Sequence, residues 1–141
     1  MTYVLDSSVG FKWAVVEQDT PKARQVRDDF RNALVELIAP DVFPVEIAHA
    51  LTRAERQGRI TPVQGAQLIT DVLKVLPALH AALPLLPRAY EISSVMRIGV
   101  YDCLYLALAE REGCELLTAD DRLVKNLTGS FAFITALSSL P

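Results

Sequence analysis

At 141 residues the chain has the length of one compact domain, and its 51% hydrophobic and 22% charged residues exclude a disordered segment. A formal charge of −3 at pH 7 excludes a protein that coats nucleic acid by bulk electrostatics, so any such contact has to be local. Two cysteines are too few for a disulfide framework or a zinc site. The opening Met1-Thr2-Tyr3 has no basic n-region, and no apolar run reaches the roughly 18 residues of a membrane span, so a cytoplasmic location without membrane contact is expected.

Tyr3-Val4-Leu5 predicts a short buried strand, ending in Asp6-Ser7-Ser8, residues that favour turns and helix caps. Thr20-Pro21 is a cap with a first-turn proline, after which Val26, Phe30, Ala33, Leu34 and Leu37 recur at helical spacing. Leu37-Ile38-Ala39 before Pro40 reads as a second strand, and Asp41 to Gln57 as a helix closed by Gly58. Thr61-Pro62-Val63-Gln64 forms a capping box for a helix with Leu68, Val72, Val75 and Leu76 on its apolar side, stopped at Pro77.

Prolines at 77, 84 and 87 allow only a short or edge strand between Ala78 and Leu86, before a helix carrying Ile92, Val95 and Met96. Tyr101 to Glu112 is apolar on almost every side, the pattern of a buried helix, and Gly113 ends it. Leu116-Leu117 then forms a strand, Asp121 to Leu127 a short helix with Asp121 as its cap, and Phe131 to Ile134 a last strand. There is no internal repeat or linker, so residues 1–141 read as a single domain. The alternation predicts a three-layer α/β/α sandwich with a short parallel central sheet, in which sites form beyond the carboxyl ends of the strands.

Most acids lie among polar neighbours and read as solvated helix faces, but four do not. Asp6 and Asp120 each follow a hydrophobic strand, which brings both to the same edge of a parallel sheet. Glu46 shares a helical face with Phe43, Ile47 and Ala50, and Asp102 with Leu106 and Ala109, so both interrupt apolar stripes. Singly, each has a plainer reading: Asp6 and Asp102 as helix caps, Asp120 in an Asx-turn, Glu46 paired with an arginine. Together they would repel one another unless a cation neutralised them, and Mg²⁺ or Mn²⁺ suits an all-oxygen ligand set. Ser8 and Thr118 carry hydroxyls able to orient such carboxylates from behind.

These residues resemble a known family. Val4-Leu5-Asp6-Ser7-Ser8-Val9 resembles the first motif of PIN domains, Val45-Glu46-Ile47-Ala48-His49-Ala50-Leu51 the second, Tyr101-Asp102-Cys103-Leu104-Tyr105-Leu106-Ala107 the third and Leu117-Thr118-Ala119-Asp120 the fourth. Their order and spacing agree from residue 3 to about residue 135, and the style of the motifs is similar to that of the VapC toxins of toxin–antitoxin pairs. The resemblance implies an endoribonuclease that hydrolyses RNA phosphodiesters with Mg²⁺ or Mn²⁺, using Asp6, Glu46, Asp102 and Asp120 as metal ligands and catalytic acids. It further implies a homodimer and a cognate antitoxin protein. One departure is His49, where the family commonly has Asn; it reads as a hydrogen-bonding group behind the ligands or as a core histidine. Arg53, Arg56 and Arg59 read either as phosphate contacts or as a solvated helix end.

Two other readings compete. A receiver-type signalling domain also binds Mg²⁺ through strand-end acids, but it has adjacent acids after its first strand and a lysine after its last, whereas Asp6 is followed by two serines and Ile134-Thr135-Ala136 contains no lysine. A catalytically silent PIN-like binding module would not require the complete acid set.

Overall fold

The computed structural model describes residues 1–141. Its five strands are β1 (Thr2–Leu5), β2 (Glu36–Pro40), β3 (Ala78–His80), β4 (Glu115–Thr118) and β5 (Ile134–Ala136). They form one sheet in the order β3-β2-β1-β4-β5 with every neighbouring pair parallel. The helices are α1 (Ser7–Ala14), α2 (Thr20–Arg31), α3 (Phe43–Arg56), α4 (Pro62–Leu73), α5 (Leu86–Met96), α6 (Val100–Glu112) and α7 (Asp121–Leu127). The expected three-layer α/β/α sandwich is what forms. Helices α1 to α4 pack among themselves, while α5 pairs with α6, which lies against β1, β2 and β4.

The core explains the two elements that were plainest in the sequence. β1 is the middle strand, and Val4 and Leu5 are wholly buried, as a parallel strand covered on both faces requires. In α6 the whole run Cys103 to Ala109 is buried, which accounts for apolar residues all round the helix. The capping box at α4 also forms: Thr61 Oγ1 accepts from Gln64 N at 3.1 Å, and Gln64 Oε1 accepts from Thr61 N at 2.9 Å. β3 is the expected short edge strand, pairing only with β2. No single helix is long and apolar enough to cross a membrane.

Three boundaries differ from the sequence reading. A whole helix, α1, follows Asp6 where the sequence shows only turn- and cap-favouring residues, and Asp6 stands at its cap position without a side-chain cap bond. Its Gly10 has a packing reason: a Cβ there would meet Phe43 Cζ at 2.5 Å and Ile47 Cδ1 at 3.2 Å, so α1 lies directly on α3. α2 stops at Arg31, because Ala33 takes a left-handed φ of 58° and turns the chain into β2, leaving Leu34 67% exposed. The last strand covers Ile134–Ala136, not Phe131 to Ile134. Phe131 and Phe133 instead pack edge to face, ring centroids 5.8 Å apart, in the turn before it.

Strands β2 and β3 leave β1 on one side and β4 and β5 on the other, so the order reverses between β1 and β4. In an open parallel sheet, that reversal opens a crevice beyond the strand ends.

Candidate active site

The crevice is built first by backbone pairing. Leu5 is in register with Leu117, and the Asp6 N–H donates to Leu117 O at 3.0 Å, which carries the β1–β4 pairing one residue past the strand. This fixes Asp6 beside Thr118. Ser8 Oγ donates to Asp6 Oδ2 at 2.5 Å, and Thr118 Oγ1 donates to the same oxygen at 2.9 Å. The two hydroxyls are themselves bound from the β4 side: Ala119 N donates to Ser8 Oγ and Asp120 N to Thr118 Oγ1, both at 3.0 Å. Ser8 and Thr118 thus both hold the same oxygen of Asp6, Oδ2.

Asp6, Asp102 and Asp120 line one cavity of about 270 Å³ together with Ser7, Ser8 and Lys12. Asp102 and Asp120 also line a second hollow of the same size, beside Arg122 and Asn126. Asp102 lies in the first turn of α6, whose cap position is Gly99, so Asp102 is not the cap. Glu46 sits in the first turn of α3, close enough to feel the charges of Asp6 and Asp102. Its Oε1 accepts from the Tyr105 hydroxyl at 2.6 Å. Tyr105 is a site residue that sequence reasoning passed over, although it lies three residues after Asp102 and therefore on the same side of α6.

Electrostatics confirm that these acids share a neighbourhood. Burial raises the Asp6 pKa, against the hydrogen bonds from Ser8 and Thr118, and Asp120 adds repulsion. Burial likewise pushes Glu46 up to about 7, opposed by the Tyr105 hydrogen bond and reinforced by Asp6 and Asp102. Asp102 is pushed up to about 6 by burial, then by Asp6 and Asp120. None of the four takes part in a salt bridge. The alternative of Glu46 paired with arginine is therefore not realised.

Two sequence expectations need correction. His49 is exposed, its side chain makes no hydrogen bond, and it neither supports the acids nor joins the core. The cap of α7 is Asp120, not Asp121: Asp120 Oδ1 accepts from Arg122 N at 3.0 Å and Leu123 N at 3.2 Å. Asp121 is the first helical residue. Of the three arginines after Glu46, Arg59 is paired with Glu17 at 2.9 Å, while Arg53 and Arg56 are exposed and unpaired.

A PIN-domain model matches residues 3–126, a span that includes all four acids. The chain belongs to the PIN-domain family. Among relatives of this PIN domain, ribonuclease VapC3 of Mycobacterium tuberculosis is 33% identical over 95 residues, covering 67% of this chain and 68% of that one. Ribonuclease VapC3 of Pyrobaculum aerophilum is 27% identical over 127 residues, covering 89% and 94%. Ribonuclease VapC12 of M. tuberculosis is 29% identical over 123 residues, covering 87% and 90%. The crystal structure of PAE2754 from P. aerophilum superposes with a TM-score of 0.69 at 20% identity, over 99% of this chain and 94% of that one, and shares the fold.

The residues of this PIN domain fit a hard divalent cation by donor chemistry: several partly buried carboxylates repel one another, and no basic group offsets them. They do not form a closed cage, because no three His, Cys, Asp or Glu side chains stand close enough together to ligate one ion.

Proposed function

We propose that this PIN-domain chain is a Mg²⁺- or Mn²⁺-dependent endoribonuclease and the toxin of a toxin–antitoxin pair. The observation that carries this reading is that Asp6, Asp102 and Asp120 line one cavity beside the β1–β4 reversal, with Glu46 near enough to feel Asp6 and Asp102 and none of the four in a salt bridge. The ribonuclease names of relatives 27–33% identical to the chain support the substrate class.

In this mechanism Asp6, Glu46, Asp102 and Asp120 are the residues that would hold the cation. When bound, such an ion lowers the pKa of water and stabilises developing charge on the phosphate. The protein's part is to position. Ser8 and Thr118 fix Asp6 through Oδ2, Tyr105 fixes Glu46 through Oε1, and the α7 amides fix Asp120 through Oδ1. Glu46 or Asp120 would orient the attacking water for in-line displacement.

An antitoxin partner, supported by the kinship with VapC ribonucleases, would meet the same charge. A guanidinium placed among these acids would replace the cation with bidentate hydrogen bonds and silence the enzyme. Self-association and a cytoplasmic location complete the proposal; Leu83, Leu86 and Tyr90, spaced along one side of α5 and its lead-in, leave exposed apolar surface for a second copy. Cleavage of defined RNAs by the purified chain tests the reading. Cuts that appear with Mg²⁺ or Mn²⁺ and vanish in EDTA and in Asp102→Asn support it; folded wild-type protein that cuts no RNA under any metal condition is a silent module.

A further inference from the structure

The cavity that holds three of the acids has one basic side chain in its wall, Lys12, on the last turn of α1. Its side chain is only 13% exposed, and its Nζ lies 3.3 Å from Glu17 Oε1. Glu17 in turn places Oε2 at 2.9 Å from Arg59 Nη2, and the Arg59 guanidinium lies 5.9 Å from the centroid of the Phe11 ring. Lys12, Glu17 and Arg59 thus form a chain of alternating charge beginning at the wall of the acid cleft. Phe11 and Glu17 belong to that same wall.

Lys12 is a near neighbour of the acids but not their partner. Its ion pair is with Glu17 alone, and the leading causes of the shifts of Asp6, Glu46 and Asp102 are burial, hydrogen bonds and neighbouring acids. A lysine held beside an anionic cleft without neutralising it remains able to take a different anion. The anion this cleft has to admit, on the ribonuclease reading, is a phosphodiester. A chain with a net charge of −3 also has little general attraction for RNA, so it must collect phosphates with particular cations. An ammonium suits that task as a point charge that reads no base.

We propose that Lys12 is a phosphate-positioning residue: it binds a non-bridging oxygen of the RNA backbone next to the scissile bond, and Glu17, braced by Arg59, parks it at the cleft wall when no RNA is bound. RNA then enters by exchanging the Lys12–Glu17 pair for a Lys12–phosphate pair, and no covalent step involves either residue. This inference rests on the ribonuclease reading of the same cleft. It differs from a purely structural role, in which the pair would only tie the end of α1 to the loop before α2.

The test uses the full chain and a labelled single-stranded RNA of mixed sequence. Cleavage gives kcat and KM, and fluorescence anisotropy in EDTA across a salt series gives binding without cutting. Lys12→Gln is expected to raise KM about tenfold with a smaller change in kcat, and to make the slope of log affinity against log salt shallower by about 0.7, the release of one counterion from a single strand. Lys12→Arg restores both. Glu17→Gln tightens RNA binding about two- to five-fold, as expected for removing a partly exposed competing pair, and that gain disappears in the Lys12→Gln background. If Lys12→Gln does not fold, Glu17→Gln alone still decides: unchanged or weaker RNA binding overturns the proposal. Wild-type protein that cuts RNA beside a Lys12→Gln variant with wild-type KM and salt slope overturns the role of Lys12 alone. Wild-type protein that neither binds nor cuts RNA overturns the ribonuclease reading and this inference with it.

Discussion

The Tyr105 hydroxyl donates to Glu46 Oε1 across 2.6 Å, joining the middle of the buried helix α6 to the first turn of α3. Tyr105 is almost fully buried, and its own pKa is raised by burial and by the nearby Asp6 and Glu46, so it remains a donor over the whole working pH range. Tyr105→Phe removes that donor and should move Glu46 still higher than about 7. The acid limb of the cleavage pH profile is expected to shift towards higher pH, with a stability loss of about 1 kcal/mol, the usual net worth of one hydrogen bond. An unchanged pH profile in a folded Tyr105→Phe variant would show that Glu46 is oriented by something else.

The metal-free chain should lose stability as pH rises. Glu46 and Asp102 have ordinary values of 4.5 and 3.8 and are raised in the fold to about 7 and about 6, so the native state binds more protons than the unfolded chain between those limits. Their contribution is complete below the ordinary values and is lost as pH climbs through the raised ones. In EDTA the melting temperature is therefore expected to fall from pH 5 to pH 8, and added Mg²⁺ should flatten that decline by pairing with the ionised forms. A melting temperature that climbs over this interval in EDTA would contradict the assignment.

Asp102→Asn should separate stability from activity. Asp102 makes no side-chain hydrogen bond that the amide would lose, while it feels the charges of Asp6 and Asp120. The amide relieves burial of charge and repulsion together, so the apo melting temperature should rise while metal-dependent cleavage disappears. Asp6→Asn is expected to gain less, since Asp6 Oδ2 accepts from both Ser8 and Thr118. Melts and RNA cleavage on the two variants check both statements.

At the β4–α7 junction, the cap and the site coincide in one side chain. Asp120→Ala should cost about 0.5–2 kcal/mol by uncapping α7 and should also weaken Mn²⁺ binding. Asp121→Ala, at the exposed first helical position, should do neither to a comparable extent. Calorimetric titration with Mn²⁺ and a thermal melt read the two effects independently, and the reverse pattern would return the cap to Asp121.

What could be read in the sequence depended on whether local pattern and tertiary packing agreed. β1, the capping box of α4 and the all-apolar α6 were legible because burial there imposes a periodicity or a composition. The four acids were legible as interruptions of that pattern. Helix α1 was not: Ser7-Ser8-Val9-Gly10 is a poor helix former, the burial of Val9 and Trp13 against α2, α3 and α4 supports the helix, and the closeness of Phe43 on α3 explains why a glycine stands in it. Tyr105 was hidden for the opposite reason, since an aromatic residue within an apolar run looks like core until its hydroxyl finds Glu46. The adjacent Asp120 and Asp121 offer the same chemistry at consecutive positions, and only backbone geometry separates a cap from a first helical residue.

The pairing of Leu5 with Leu117, and the bond from Thr118 to Asp6 across 112 positions of sequence, also set a time for the assembly of the cleft. During synthesis Asp6 leaves the ribosome early, yet the strand that completes its surroundings is made more than a hundred residues later. At about 5–20 residues per second, the ribosome takes several seconds over that interval. Throughout it the growing chain carries Asp6 without the Thr118 hydroxyl that holds its Oδ2. Chain connectivity thus leaves this edge of the sheet incomplete until β4 docks beside β1, with most of the chain already translated.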